Sequence, residues 1–156
     1  MVFPELPEEL DRDDVPAICI GVEDVDPPDL DAPAVSAWLQ SVASEYGRVI
    51  KRLSYVFLSD NALLELNRLH LNHDTFTDII TFDLAATIGA AIEGECYISV
   101  DRVKDNATSF GVSYQDEVHR VMVHGLLHLT GLGDKTDSEV RAMRAAEDAA
   151  LEMYVE

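Results

Sequence analysis

The segment HGLLHLTGLGD, residues 124–134, constrains the fold of this chain more than any other stretch. His124 and His128 are four residues apart, which places both imidazoles on one face of a helix, one turn from each other. The residues around them, 121–129, are mostly aliphatic and predict a buried helix. Because an unpaired polar ring in a protein core costs free energy, two histidines on such a helix need polar partners.

The residues that follow this helix supply a third polar group. Gly131 favours the left-handed conformation that ends a helix and turns the chain back, so Asp134 comes towards the two histidines. Two imidazoles and one carboxylate form a facial set of ligands for a divalent metal ion and leave a position for water. The sequence therefore predicts a metal site of His124, His128 and Asp134. The alternative, a satisfied core histidine and an aspartate that only caps a turn, explains the spacing of Gly131 and Asp134 less well.

The spacing is that of the zinc-protease pattern H-E-x-x-H-x-x-G-x-x-H, with two changes. Gly125 stands where such enzymes carry the glutamate that activates water, which argues against peptide hydrolysis by the usual route. Asp134 stands where they carry a third histidine. A carboxylate oxygen binds zinc at about the same distance as an imidazole nitrogen, but it is a harder ligand, so manganese and other metals compete more strongly.

Composition limits the class of protein and its partners. The chain has 30 acidic and 11 basic residues among 156, a formal net charge of −19. This balance opposes non-specific binding of nucleic acid, which depends largely on Lys and Arg. We interpret it as a solvated acidic surface; the alternative is a substrate that is not polyanionic. Short apolar runs, an acidic N-terminus and two distant cysteines predict a cytoplasmic protein with reduced thiols and no membrane partner.

Hydrophobic periodicity predicts a single α+β domain over residues 17–156, after an acidic flexible leader over residues 1–16. We expect a small mixed four-stranded sheet packed with about five helices, one of which is the zincin-like metal helix. The predicted strands are 17–22, 52–58, 78–84 and 95–100. The predicted helices are 34–46, 61–71, 101–110, 113–130 and a last one to 154. Asp31 is the predicted cap of the first helix, Ser113 of the fourth, and Asp137 or Ser138 of the last.

Three blocks of this sequence resemble a known family. HGLLHLTGLGD resembles the signature H-G-x-L-H-L-x-G-x-D-H of the YbeY-type ribosomal RNA maturation endoribonucleases. LNHDTFTDIITF, residues 71–82, resembles the family segment that ends in T-D-V-L-S-F, and GECYIS resembles its G-D-I-x-I strand. The resemblance implies an enzyme that binds one divalent metal ion, usually zinc, and cuts single-stranded RNA. It also implies a role in 3′-end maturation of small-subunit ribosomal RNA and in ribosome quality control.

The resemblance carries over residue by residue. The first two signature histidines fall on His124 and His128, and the third falls on Asp134, so these three become both the metal ligands and the catalytic residues. The family aspartate before the third ligand falls on Gly133. The implied partners are single-stranded ribosomal RNA, the small ribosomal subunit and its assembly factors.

A basic residue of the family that contacts phosphate falls on Leu71, which carries no charge. Arg68 or His73 is expected to replace it, unless the RNA is held differently. Further candidates for substrate contacts, or for hydrogen bonds to the metal ligands, are His73, Asp74, Thr77, Asp78 and Arg120.

Each of these candidates also has a structural interpretation. The polar loop before the third strand is equally consistent with a simple turn. Arg120 is favoured as the partner of Glu117 in an ordinary helix ion pair, rather than as a residue that orients the metal face. His119 is expected at the surface.

Two other functions stay open from the residues alone. One is a metal-dependent hydrolase of another substrate, such as a peptide or a small ester. The other is a non-catalytic ribosome-assembly factor that metal stabilises. A cleft with local positive potential favours the nuclease, and a strongly negative cleft favours the other hydrolase.

Overall fold

The computed structural model describes residues 16–71 and 76–155. Within them the strands are β1 (Ile18–Val22), β2 (Ile50–Leu58), β3 (Ile79–Asp83) and β4 (Ile92–Ser99). The helices are α1 (Ala32–Glu45), α2 (Asp60–Leu71), α3 (Val100–Phe110), α4 (Tyr114–Leu129) and α5 (Asp137–Glu152). The predicted α+β class, with four strands and five helices, is confirmed. The predicted acidic leader lies outside the described residues except for residue 16.

The four strands form one mixed sheet in the order β1-β2-β4-β3. The pairs β1–β2 and β2–β4 are parallel, and β3 runs antiparallel to β4 along the edge of the sheet. Strand β2 is buried from Leu53 to Leu58, as expected for a parallel strand covered on both faces. Leu53, Tyr55 and Phe57 belong to the larger core with α1 and α4, whereas Val56 and Leu58 pack with Leu63 of α2 on the opposite face.

Side chains predicted as helix caps occupy cap positions. The side chain of Asp31 accepts a hydrogen bond from Ala34 N, and Ser113 accepts one from Asp116 N. The predicted cap of α5 is wrong by one residue, because Thr136 accepts from Glu139 N and Asp137 is already helical. Aspartate is on average the better cap, but threonine is also a favoured one, so local propensity alone does not place the start of this helix.

Helix α5 is fixed to the rest of the domain through buried side chains near its end. The indole Nε1 of Trp38 on α1 donates a hydrogen bond of 2.7 Å to the carbonyl oxygen of Ala150. His119 of α4 packs in the same place, with its ring centroid 5.5 Å from Trp38 and 4.3 Å from Tyr154. The prediction of a surface position for His119 is therefore wrong, since only 5% of this residue is exposed. None of the described helices is long and apolar enough to cross a membrane.

Candidate active site

A cleft of about 320 Å³ opens between α4 and α5, beside the first histidine of the motif. Its wall includes charged side chains from four segments that are separate in sequence. They are Asp78 at the start of β3, Glu117, Arg120 and His124 on α4, Asp134 in the following loop, and Arg144 and Glu147 on α5. The predicted ligands His124 and Asp134 thus line the same cleft as Asp78 and Arg120.

The two nitrogens of the His124 ring have different carboxylate partners. Nδ1 lies 2.7 Å from Oε2 of Glu147, and Nε2 lies 3.4 Å from Oδ2 of Asp134. The hydrogen bond to Glu147 raises the pKa of His124 above its ordinary value, and the negative charges of nearby carboxylates add to this. Burial of the ring opposes the rise. Glu147 therefore orients the ring and favours its protonated form.

The distance between Nε2 of His124 and Oδ2 of Asp134 suits two ligands of one metal ion. Zinc binds imidazole nitrogen and carboxylate oxygen at about 2.0–2.2 Å, and a tetrahedral angle then separates the two ligand atoms by about 3.4 Å. Metal-binding histidines also usually donate their other ring N–H to a carboxylate or carbonyl, as Nδ1 of His124 does to Glu147. The donor atoms present fit a divalent metal ion.

His128 is supported by the turn that ends its own helix. Gly131 adopts φ +112°, Gly131 N donates to His128 O at 3.1 Å, and Leu132 N donates to Leu127 O at 3.2 Å. This pattern is the Schellman motif. It brings the carbonyl oxygen of Leu132 to 3.0 Å from Nδ1 of His128. Because a carbonyl oxygen only accepts, Nδ1 carries the proton and Nε2 keeps a free lone pair for a metal ion.

The structure brings part of the predicted ligand set together. His124 and Asp134 form a close pair, whereas His128 is exposed. Within residues 16–71 and 76–155, no group of three or more His, Cys, Asp or Glu side chains is arranged to hold a metal ion. The complete set of His124, His128 and Asp134 therefore stays a prediction.

Glu147 is the main site residue that sequence reasoning missed. Only 5% of it is exposed, and Nη1 of Arg120 donates to its Oε1 at 2.9 Å while His124 occupies its Oε2. Its sequence signal is an acidic residue on the apolar face of α5, four residues after buried Met143 and three before buried Ala150. A buried carboxylate at such a position needs partners, and here it has two.

Arg120 contacts α5 rather than its own helix. Its guanidinium donates to Glu147, and its Nη2 donates to Oδ1 of Asp148 at 2.6 Å. The predicted ion pair of Arg120 with Glu117 is therefore wrong, because Glu147 and Asp148 are the partners of Arg120. Through Glu147, Arg120 acts on the orientation of His124.

Two further carboxylates line this cleft, that of Asp78 half-buried and that of Glu117 buried. Burial raises the pKa of both Asp78 and Glu117 above the ordinary carboxyl value. Asp78 also accepts a hydrogen bond of 3.3 Å from Nδ2 of Asn106 and lies close enough to His124 for their charges to interact. Asp78 thus lies where the sequence predicted a residue that assists the histidines.

The remaining predicted contacts lie elsewhere. His73 and Asp74 are outside the described residues. The hydroxyl of Thr77 donates to the carbonyl oxygen of Ile79 at 3.4 Å, which ties it to the start of β3. Leu71 is 44% exposed at the end of α2, and Nη1 of Arg68 lies 3.0 Å from Oε1 of Glu65.

Gly125 lies where α4 comes closest to the sheet. A Cβ atom at this position would be 2.7 Å from Sγ of Cys96 and 3.0 Å from Cδ1 of Ile79, which leaves no room for a side chain. Cys96 is a fully buried free thiol, and burial raises its pKa to about 12. Gly125 is therefore needed for packing, and any side chain there would point into the sheet.

Comparison with known proteins identifies the family. A family model described as "Endoribonuclease YbeY" matches residues 26–155 of this chain. The chain belongs to the YbeY endoribonuclease family. It is therefore an endoribonuclease, a hydrolase that acts on RNA, and the family implies a metal-dependent enzyme. The resemblance inferred from the three sequence blocks is confirmed.

Similar YbeY proteins come from several bacteria, and each is named "Endoribonuclease YbeY". The chain is 42% identical to the one from Bacteroides thetaiotaomicron, over 88% of this chain and 98% of that protein. It is 44% identical to the one from Parabacteroides distasonis, over 90% and 97%. It is 50% identical to the one from Cytophaga hutchinsonii, over 76% and 82%.

The fold is also that of a solved structure. The solution structure of TM1509 from Thermotoga maritima superimposes with a TM-score of 0.61 at 24% identity, covering 88% of each chain. This similarity supports the α+β fold alone.

Proposed function

We propose that this YbeY-family enzyme is a metal-dependent endoribonuclease specific for single strands. Its substrate is the precursor of small-subunit ribosomal RNA, which it cuts during 3′-end maturation and ribosome quality control. Its partners are then the small ribosomal subunit and assembly factors in the cytoplasm. Family membership supports the nuclease activity, and the sequence resemblance supports the ribosomal substrate. We further propose that residues 17–156 form this catalytic domain and that the acidic residues 1–16 precede it.

The proposed catalytic centre is one zinc ion held by His124, His128 and Asp134. The observation that carries this assignment is that both histidines have their Nδ1 atoms occupied, by Glu147 and by the carbonyl of Leu132. Both rings can therefore present Nε2, and the Nε2 of His124 already lies 3.4 Å from Asp134. A zinc ion at this point would lower the pKa of water and stabilise the charge that develops on the phosphate.

The protein supplies orientation and proton control around this centre. Glu147 holds His124 by its Nδ1, and Arg120 donates a hydrogen bond to the other oxygen of Glu147. The side chains of Asp78 and Glu117 have raised pKa values, so they can hold or release a proton nearer to neutral pH than an exposed carboxyl can. These two residues are the candidates for moving a proton during cleavage.

The formal charges of the cleft allow a metal cation and an RNA phosphate to bind there at the same time. Four carboxylates, those of Asp78, Glu117, Asp134 and Glu147, face two arginines, Arg120 and Arg144. One divalent cation balances the excess of two negative charges, and the raised pKa values of two of the carboxyl groups reduce that excess further. A phosphate can then approach without the repulsion that the net charge of the chain suggests.

RNA cleavage by purified protein tests this proposal. The wild type and a His124→Ala variant are incubated with single-stranded and double-stranded ribosomal RNA segments at several metal and salt concentrations. We expect cleavage of the single strand by the wild type and its loss in the variant. An identical cleavage pattern from both proteins would overturn the proposed catalytic centre at His124.

Metal analysis tests the ligands independently of activity. Elemental analysis of the wild type and of His124→Ala, His128→Ala and Asp134→Ala variants is expected to show one zinc per chain only in the wild type. Full metal content in the Asp134→Ala variant would remove Asp134 from the ligand set. An Asp137→Ala variant serves as the matched control, since Asp137 is an exposed aspartate at the start of α5 and does not line the cleft.

A further inference from the structure

An aromatic ring and a cation lie side by side on the wall of the active-site cleft. Phe110, the last residue of α3, is 55% exposed. The guanidinium carbon of Arg144 on α5 lies 5.4 Å from the centroid of this ring. Both residues line the same cleft as His124 and Asp134. The ring of Phe110 is thus accessible to a ligand in this cleft.

Arg144 differs from Arg120, the other arginine of the cleft, in its exposure and in its ion pairs. Arg120 is largely enclosed and donates to two carboxylates, Glu147 and Asp148. The side chain of Arg144 is 51% exposed, and its nearest described carboxylate, Glu147, is 3.9 Å away, at the limit of an ion pair. Arg144 therefore keeps an accessible positive charge in a chain whose net charge is −19.

This pair of side chains matches the chemistry of a single-stranded nucleotide. Unpaired bases stack on aromatic rings and on the planes of arginine guanidinium groups, and a guanidinium binds phosphate through its N–H groups. We propose that Phe110 and Arg144 form a subsite for one nucleotide of single-stranded RNA next to the cleavage point. The base stacks on the Phe110–Arg144 surface, and the guanidinium contacts the adjoining phosphate. This inference rests on the proposed location of the catalytic centre at His124.

The subsite also accounts for the missing positive charge at Leu71. The helix that ends at Leu71 carries Arg68, whose guanidinium is next to Glu65. Arg144 reaches the cleft from α5 instead, and it is the exposed one of the two arginines there. The phosphate contact is thus supplied from the C-terminal helix.

The charge contribution is tested with Arg144→Gln and a matched control, Arg141→Gln, which removes the same charge from an exposed position outside the cleft. Binding of a fluorescent single-stranded 2′-O-methyl oligoribonucleotide is measured by anisotropy at several salt concentrations, and a gel verifies that it stays intact. The slope of log affinity against log salt is expected to fall in magnitude by about 0.7 for Arg144→Gln, since one phosphate contact is lost. Arg141→Gln is expected to keep the wild-type slope.

The stacking contribution is tested with Phe110→Ala, Phe110→Tyr and the control Val112→Ala, a nearby exposed apolar residue outside this cleft. Loss of a stacked base is expected to weaken binding about 5- to 150-fold in Phe110→Ala. The tyrosine variant is expected to restore binding, and the Val112 control to leave it unchanged. In cleavage assays the two subsite variants are expected to raise KM with little change in kcat.

The outcomes separate this inference from the proposed function. Equal salt slopes and affinities for Arg144→Gln and Arg141→Gln would overturn the phosphate contact, even if RNA cleavage depends fully on His124. Wild-type binding in Phe110→Ala would overturn the stacking contact in the same way. If His124→Ala cleaves normally while Arg144→Gln loses binding, the subsite stands and the proposed catalytic centre fails.

Discussion

The two histidines of the motif are one helical turn apart, yet they are held by different parts of the molecule. His128 is held by its own neighbourhood, through the carbonyl oxygen of Leu132, four residues further along the chain. His124 is held by Glu147, which comes from another helix and is 23 residues away in sequence. The turn after α4 thus supports one ring, and the interface between α4 and α5 supports the other.

This difference separates what a short motif encodes from what the fold adds. A glycine at position 131 suffices to form the turn that positions Leu132, because its left-handed backbone lets both Schellman hydrogen bonds form. No local pattern brings Glu147 to His124, because that contact depends on how α5 docks. Three substitutions and one pH dependence can break or sharpen this contrast.

The largest effect is expected from Gly125→Ala, which disturbs the packing of α4, the helix that carries both histidines. The added methyl would lie 2.7 Å from Sγ of Cys96 and 3.0 Å from Cδ1 of Ile79, so either these side chains or α4 must shift. Overpacking of this kind lowers the free energy of unfolding by about 1–3 kcal/mol. Urea denaturation measures the loss, and Gly21→Ala is the control, because its added methyl meets no atom within 4 Å. Equal stability of the two variants would contradict the tight packing at Gly125.

The next effect is expected from Glu147→Gln, which weakens the support of His124 alone. The amide can still accept the hydrogen bond, but it lacks the charge that strengthens the imidazole as a ligand. Loss of such a supporting carboxylate typically lowers metal affinity about 10- to 100-fold. Competition with a metal-sensitive dye measures the affinity. Glu152→Gln, at an exposed position on the same helix, should bind metal like the wild type. Unchanged affinity in Glu147→Gln would mean that His124 is not a ligand oriented by Glu147.

A smaller effect is expected from Gly131→Ala, which weakens the support of His128. The positive φ of this residue is unfavourable for any side chain, and the cost is about 1–2 kcal/mol of stability. Gly111→Ala is the matched control, since Gly111 ends α3 with φ +68°. Both variants are expected to lose similar stability in urea, but Gly131→Ala alone should also lose metal affinity. Equal metal affinity in both would show that the Leu132 carbonyl does not matter for binding.

The smallest effect is a pH dependence of stability in the metal-free protein. The pKa of His124 is raised in the folded state, so its contribution to stability is complete below about pH 6.5 and is lost as pH rises through the raised pKa. Glu147→Gln should bring this pKa down and reduce the difference in unfolding free energy between about pH 6 and about pH 8. The same difference in the wild type and the variant, with Glu152→Gln as control, would contradict the Glu147 contact.

The sequence predicted the local features of this fold well. It predicted the positions of strands and helices, the caps Asp31 and Ser113, and the turn at Gly131. Each of these features depends on a few adjacent residues whose preferences agree with the final structure. The placement of Asp134 beside His124 follows from that turn, so it too was predictable.

Contacts between distant elements were not predictable in the same way. Arg120 has Glu117 three residues before it, and helical spacing favoured that pair, but the docking of α5 offers it Glu147 and Asp148 instead. The buried position of His119 likewise depends on Trp38 and Tyr154, which come from α1 and the C-terminal end. Helix register across an interface is set by tertiary packing, which periodicity within one helix does not specify.

The hydrogen bond from Trp38 to Ala150 gives the enzyme an intrinsic optical reporter. Trp38 is the single tryptophan of the chain, and its indole is bonded to α5 one turn beyond Glu147. Its fluorescence spectrum should therefore follow the docking of the helix that holds His124, without any added label. Titration of the metal-free protein with zinc, followed at this one chromophore, would reveal whether the ion tightens the attachment of α5 as it binds.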